Sequence, residues 1–130
     1  MSKKLDRAKE LRSGTCGSYN CAQATLIPTA EEMGLDAATA AKLTRNLDTG
    51  MKMGSTCGAV TGGLIALGLA GADDATVAEY IRIMKERHGG SLNCPDLLKR
   101  NAEQVRLEKK AHCDGMIFES VQLVEELLAK

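Results

Sequence analysis

No stretch of this 130-residue chain alternates apolar and polar residues for long, and runs of β-branched or aromatic side chains are scarce, so a sheet has little to be built from. Helical spacing takes its place. Leu5, Ala8 and Leu11 or Arg12 mark a short first helix that stops near Ser13-Gly14. A second begins after Asn20 and runs to Met33, with Gly34 as its stop and Pro28 inside it, so a kink or two shorter helices are expected there. Asp36 caps a third that reaches about Leu47, with Leu43 and Leu47 at i, i+4. Asp48 to Ser55, holding Gly50 and Gly54, reads as a loop.

Thr56 then caps a fourth helix from Cys57 to about Leu69 that is apolar all round, as a helix at the centre of a bundle is. Asp73 or Asp74 opens a fifth with Val77, Tyr80, Ile81, Met84 and His88 on one face, closed by Gly89-Gly90. Pro95 suits the first turn of a further segment carrying the mixed charges of Lys99 to Lys110. The last helix is expected to start near Cys113-Asp114, with Ile117, Val121, Val124 and Leu128 on one stripe. Connections are short and no low-complexity tract interrupts them. The expected architecture is all-α: a single compact bundle of about five to seven helices, with residues 1–130 as one helical domain.

Charge and aromatic content narrow the function. Lys plus Arg and Asp plus Glu both number 17, and aromatics are 2%, so neither a basic field nor a stacking platform for nucleic acid is indicated. The mixed charges of Lys3, Lys4, Asp6 and Arg7 are unlike a secretory signal, and the uncharged Gly54–Ala72 stretch suits a buried helix better than a membrane span. A cytoplasmic protein is expected, without nucleic-acid or membrane partners. Its many small residues favour close helix contacts of the kind a homodimer uses. In a reducing compartment, five cysteines point to reactive or metal-binding groups rather than structural disulfides.

Their placement is the informative pattern. Cys21 follows Asn20, Cys57 follows Thr56, Cys94 precedes Pro95 and Cys113 precedes Asp114, so each falls at an expected helix start. Unpaired N–H groups and the positive end of the helix dipole there favour thiolate over thiol and lower the thiol pKa. Cys16, in the Ser13–Ser18 segment, fits no helix start. It reads as a loop residue, with a resolving partner for Cys21 as the alternative. Gly58 and Gly62, one turn apart, let a neighbouring helix or a bound group approach Cys57 closely, or serve helix packing alone.

Asn20-Cys21-Ala22-Gln23-Ala24, then Cys57-Gly58-Ala59-Val60-Thr61-Gly62, then single cysteines at Cys94 and Cys113, resemble the C-GCAxxG-C-C family of putative redox-active proteins. The resemblance covers the chain from about residue 15 to the end. It implies a redox role carried by these four cysteines.

Three functions compete. A thiol-disulfide oxidoreductase would cycle cysteine pairs between dithiol and disulfide with a redox partner the sequence does not name. No Cys-x-x-Cys is present, so the fold must make the pair, and Cys21 with Cys57 is preferred because both start apolar helices. Alternatively, four thiolates could hold one metal ion or iron–sulfur cluster, although the wide spacing argues against it. In that case His112 is a candidate ligand, and Met51 and Met53 are soft sulfurs suited to copper(I). The third is a non-enzymatic helical interaction module with quietly packed cysteines. His88, on the apolar stripe of its helix, reads as a buried or boundary histidine.

Overall fold

The computed structural model describes residues 3–13, 19–105 and 108–129, and every regular element among them is helical. Helices α1 (Lys3–Arg12), α2 (Cys21–Glu32), α3 (Ala37–Thr44), α4 (Gly58–Leu69), α5 (Asp74–Arg87), α6 (Cys94–Arg100) and α7 (Lys109–Leu128) follow one another, with short five-residue pieces at Gly50–Gly54 and Asn101–Val105. The all-α expectation holds. The helical pieces slightly outnumber the five to seven expected because Asn101–Val105 adds a short one after α6, while Gly50–Gly54 has non-helical backbone and lies in the expected loop. Cys16 lies outside the described residues.

The centre is the α2–α4 contact, on which α7 also packs. It is close because α4 offers glycine where α2 presents backbone. A Cβ on Gly62 would stand 2.7 Å from the Ala22 carbonyl oxygen, and one on Gly63 would overlap the Tyr80 hydroxyl. Tyr80 is fully buried there, its hydroxyl 3.2 Å from both the Val60 carbonyl and Ser120 Oγ. One core cluster runs from Ala8 and Leu11 of α1 through Leu26, Ile27, Val60, Leu67 and Met84 to Ile117, Val121 and Val124 of α7.

Four expectations are corrected. Helix α2 is one helix through Pro28 rather than two shorter ones; the fixed φ of proline suits a helix, and its missing N–H costs one hydrogen bond in a buried setting. Helix α3 ends at Thr44 rather than Leu47. Its buried face is Ala40 and Thr44, and Leu43 is 62% exposed. The charged Lys99–Lys110 stretch is not one helix, since α6 stops at Arg100 and α7 begins at Lys109. That early start places Cys113 inside α7 rather than at its first turn. No described helix is long and apolar enough to cross a membrane.

Candidate functional site

Local chemistry at Asn20 fixes the first cysteine. Gln23 N–H donates to Asn20 Oδ1 and Asn20 N–H donates to Gln23 Oε1, both at 2.8 Å, a reciprocal cap that starts α2 at Cys21. The same two side chains reach across to the end of α3: Asn20 Nδ2 donates to the Arg45 carbonyl at 3.0 Å and Gln23 Nε2 to that of Ala41 at 2.9 Å. Residues Asn20 to Gln23 therefore clamp two helix ends and hold Cys21 between them.

The second and third cysteines are tied together by a single antiparallel bridge between Thr56 and Asn93. Cys57 N–H donates to the Leu92 carbonyl and Cys94 N–H to that of Ser55, each at 2.8 Å. This joins the start of α4 to the start of α6. Thr56 is consequently not the cap of α4; Cys57 occupies that position itself. Gly58 completes the arrangement, because a Cβ there would overlap the Cys21 sulfur.

Between α3 and α4 the backbone makes a left-handed turn, with positive φ at Thr49, Gly50, Met51 and Lys52. Each of the three non-glycine residues in that conformation costs roughly 1–2 kcal/mol. A Cβ at Gly50 would meet the Ser55 carbonyl oxygen at 2.5 Å, so glycine is required there. The turn brings the Thr49 N–H to the Cys21 sulfur. Asp48 Oδ1 lies 2.7 Å from Lys52 Nζ but without hydrogen-bond geometry, and it is withdrawn from solvent.

Cys21, Cys57, Cys94 and Cys113 all line one cavity of about 220 Å³, together with Arg12, Asp48, Thr49 and His112. All four are thiols; Cys57 is buried and the other three are half-buried. Met51 and Met53 do not line it, and Met53 is 76% exposed. Helix starts hold Cys21, Cys57 and Cys94, while Cys113 is the fifth residue of α7. Sequence patterning gives no signal for Asp48 and Thr49, since a left-handed turn of mostly non-glycine residues has no composition cue.

The expected lowering of thiol pKa is overturned at the two cysteines of the α2–α4 contact. Burial pushes Cys57 up to about 12, overriding the N–H groups of Ala59 and Val60 that face its sulfur. Cys21 is raised too, by burial first and then by Cys113, against the N–H groups of Thr49 and Ala22. The helix starts act as expected, but desolvation is the larger effect. Thiolates on Cys21 and Cys94 would each oppose one on Cys57, and a thiolate on Cys113 would oppose one on Cys21. The sulfurs are thus close enough to sense one another.

His112 is half-buried on the cavity wall. Burial, then the charge of His88, lowers its pKa, leaving a neutral ring at pH 7 that can accept a proton. His88 is a boundary residue as expected, its Nε2 2.7 Å from Glu119 Oε1. Arg12 brings a cation to the rim but is engaged by Asp114, Nε to Oδ1 at 2.6 Å. Among the described residues no group of three or more Cys, His, Asp and Glu is arranged to hold a metal ion.

Fold and site together define an all-helical protein whose distant cysteines share one cavity. The family model described as Putative redox-active protein (C_GCAxxG_C_C) matches residues 19–127, and the chain belongs to that family. No curated protein and no solved structure matches it.

Proposed function

We propose that this chain is a cytoplasmic thiol-disulfide oxidoreductase, folded as one helical domain, in which Cys21, Cys57, Cys94 and Cys113 exchange disulfides within their shared cavity. The observation that carries this reading is the convergence of four cysteines from α2, α4, α6 and α7 on one cavity. A thiolate attacks the substrate disulfide and displaces one thiol; a second cysteine attacks the mixed disulfide and releases the other. The protein loses two hydrogens and gains one internal disulfide. His112, on the wall of the same cavity, is the group we assign to take the first thiol proton, which matters where burial disfavours spontaneous ionisation.

Cys21 with Cys57 is the pair we assign to the internal disulfide. Its support is the seating of the Cys21 sulfur over Gly58, next to Cys57, together with the mutual influence of the two thiols. Cys94 and Cys113 enter from the α6–α7 side. The test is native mass spectrometry on protein purified without air, before and after mild oxidation, followed by peptide mapping. The expected result is a metal-free reduced chain that loses two hydrogens on oxidation, regains them on reduction, and yields a Cys21–Cys57 cross-linked peptide. A bound metal or cluster in the first spectrum would replace this reading with the ligand one, and an unchanged mass after oxidation would leave the cysteines as packing residues.

A further inference from the structure

A second cavity, of about 250 Å³, adjoins the first and shares Leu97, His112 and Met116 with it. Helices α6 and α7 supply the common walls. Cys94 and Leu97 of α6 face the cysteine compartment, while Leu97 and Arg100 face the second. On α7, Cys113 lines the first compartment and Glu119 the second, with His112 and Met116 lining both. The two cavities are neighbours, with Leu97, His112 and Met116 lining both.

The second compartment carries two guanidinium groups. Arg87 and Arg100 line it against a single carboxylate, Glu119, with His88 and His112 beside them. That carboxylate is already engaged, by Arg87 at 3.0 Å and His88 at 2.7 Å. Arg100 has a different environment. Its guanidinium makes one long contact, 3.4 Å, to the Arg87 carbonyl, and no carboxylate among the described residues pairs with it. Gly115 leaves open space where a side chain would fill the compartment.

We propose that this compartment seats the carboxylate of a small peptide thiol, or of its disulfide, on Arg100, and so delivers the ligand sulfur to Cys113 and Cys94. This rests on the thiol-disulfide reading above and names its substrate class. Six residues separate Cys94 from Arg100, roughly 9 Å along the helix axis at about 1.5 Å per residue. Long helical side chains lean back toward the N-terminus, which shortens the real span somewhat. Free cysteine, whose sulfur and carboxylate are only a few bonds apart, is too short for that span, and a thiol of two or three residues reaches it. In turnover, the Cys94 or Cys113 thiolate attacks the bound peptide disulfide and one peptide thiol leaves. A second cysteine attacks the mixed disulfide and releases the other, and exchange with the remaining thiols passes the internal disulfide to Cys21 and Cys57. Two electrons and two protons pass from the protein to the disulfide.

The test separates binding from exchange. An S-methylated Cys-Ala-Gly tripeptide cannot exchange, so calorimetric titration of reduced protein with its free acid and its C-terminal amide reads the carboxylate site alone. The acid is expected to bind at least about tenfold more tightly than the amide, as a charge-assisted guanidinium contact would give. Arg100→Gln should bring the two within about twofold, and Arg100→Lys should restore part of the preference, because it keeps the charge but loses the fork. Equal binding of acid and amide to the wild-type protein, or a preference that survives Arg100→Gln, overturns the proposal. So does acetate binding as tightly as the tripeptide acid, which would mean a site for any small anion. Uncharged bis(2-hydroxyethyl) disulfide reports on the underlying reading: its reduction without any carboxylate preference sinks the substrate assignment alone. Carboxylate-dependent binding with no reduction of either disulfide would leave an anion site and overturn the thiol chemistry.

Discussion

The two walls of the cysteine cavity are built on different principles. On the α2–α4 side, backbone is packed against backbone through Gly58 and Gly62, and a reciprocal cap clamps two helix ends. Burial there is deep enough to push Cys57 up to about 12. On the α6–α7 side, Cys94 and Cys113 are half-buried, α6 is short, and charged groups such as Arg12, Asp114 and Lys110 hold the surroundings together. One wall withdraws Cys57 from water, and the other leaves Cys94 and Cys113 half-buried beside charged groups. In a disulfide exchange, such a division lets the open side meet substrate while the buried side keeps a thiol out of reach of solvent oxidants.

The sharpest way to break this contrast is alkylation kinetics. At pH 8 a thiol raised to about 12 is about one part in 10⁴ ionised, against about a quarter for an ordinary thiol near 8.5. Cys57 should therefore react with iodoacetamide about a thousandfold more slowly than a free cysteine and be the last of the four to be modified, as read by mass spectrometry of peptide digests. Labelling of Cys57 alongside Cys94 and Cys113 would mean that the two walls are chemically alike. The same group has a stability signature. Its folded pKa lies above the unfolded one, so its contribution is complete below about pH 9 and is lost as pH rises toward 12.

Packing offers the next test. A Cβ on Gly58 would overlap the Cys21 sulfur and lie 2.9 Å from the Leu47 carbonyl oxygen. Gly58→Ala should cost about 3 kcal/mol in urea unfolding, the upper end for overpacking, because backbone cannot step aside. A cost under about 1 kcal/mol would show that the α2–α4 wall yields.

On the opposite wall the expected effects are electrostatic and smaller. Burial would raise Asp114, but hydrogen bonds from Lys110 and Arg12 more than offset it and hold the carboxyl below its usual value. The sign follows: a depressed acid stabilises the fold above its unfolded pKa, and that contribution is lost as pH falls through the folded value. Asp114→Asn should therefore cost about 1 kcal/mol at pH 7 and progressively less in acid, measured by unfolding across pH 2 to 7. A cost independent of pH would assign Asp114 a packing role instead.

Sequence periodicity makes the helices of this chain legible because apolar spacing is a local property. Asp36 and Asp73 cap α3 and α5 as their positions suggest, donors at Thr39 and Thr76 answering them at 2.7 and 2.8 Å. Each of the four cysteines lines the cavity. What periodicity misses depends on tertiary context. The start of α7 moved to Lys109 because no apolar pattern marks a charged first turn. The left-handed turn at Thr49–Lys52 carries only one glycine, so no cue announces it. The direction of the thiol shifts could not be read either. A helix start lowers a thiol pKa and burial raises it, and only the folded structure says how much water is left.

The smallest effect separates the roles of the α4 glycines. Gly68 lies on the same helix as Gly58 and Gly62, yet a Cβ there meets nothing within 4 Å, and its φ is not in the left-handed range. Gly68→Ala removes the entropic cost of glycine in a helix and should stabilise the fold by about 0.5–1 kcal/mol. Paired with Gly58→Ala, it turns the glycine-rich helix into an internal control. If both substitutions destabilise alike, the cost belongs to α4 as a whole and the close approach around Cys57 loses its special standing. Opposite signs would localise the demand for glycine to the end of α4 that faces Cys21, where the residue next to Cys57 makes room for the neighbouring sulfur.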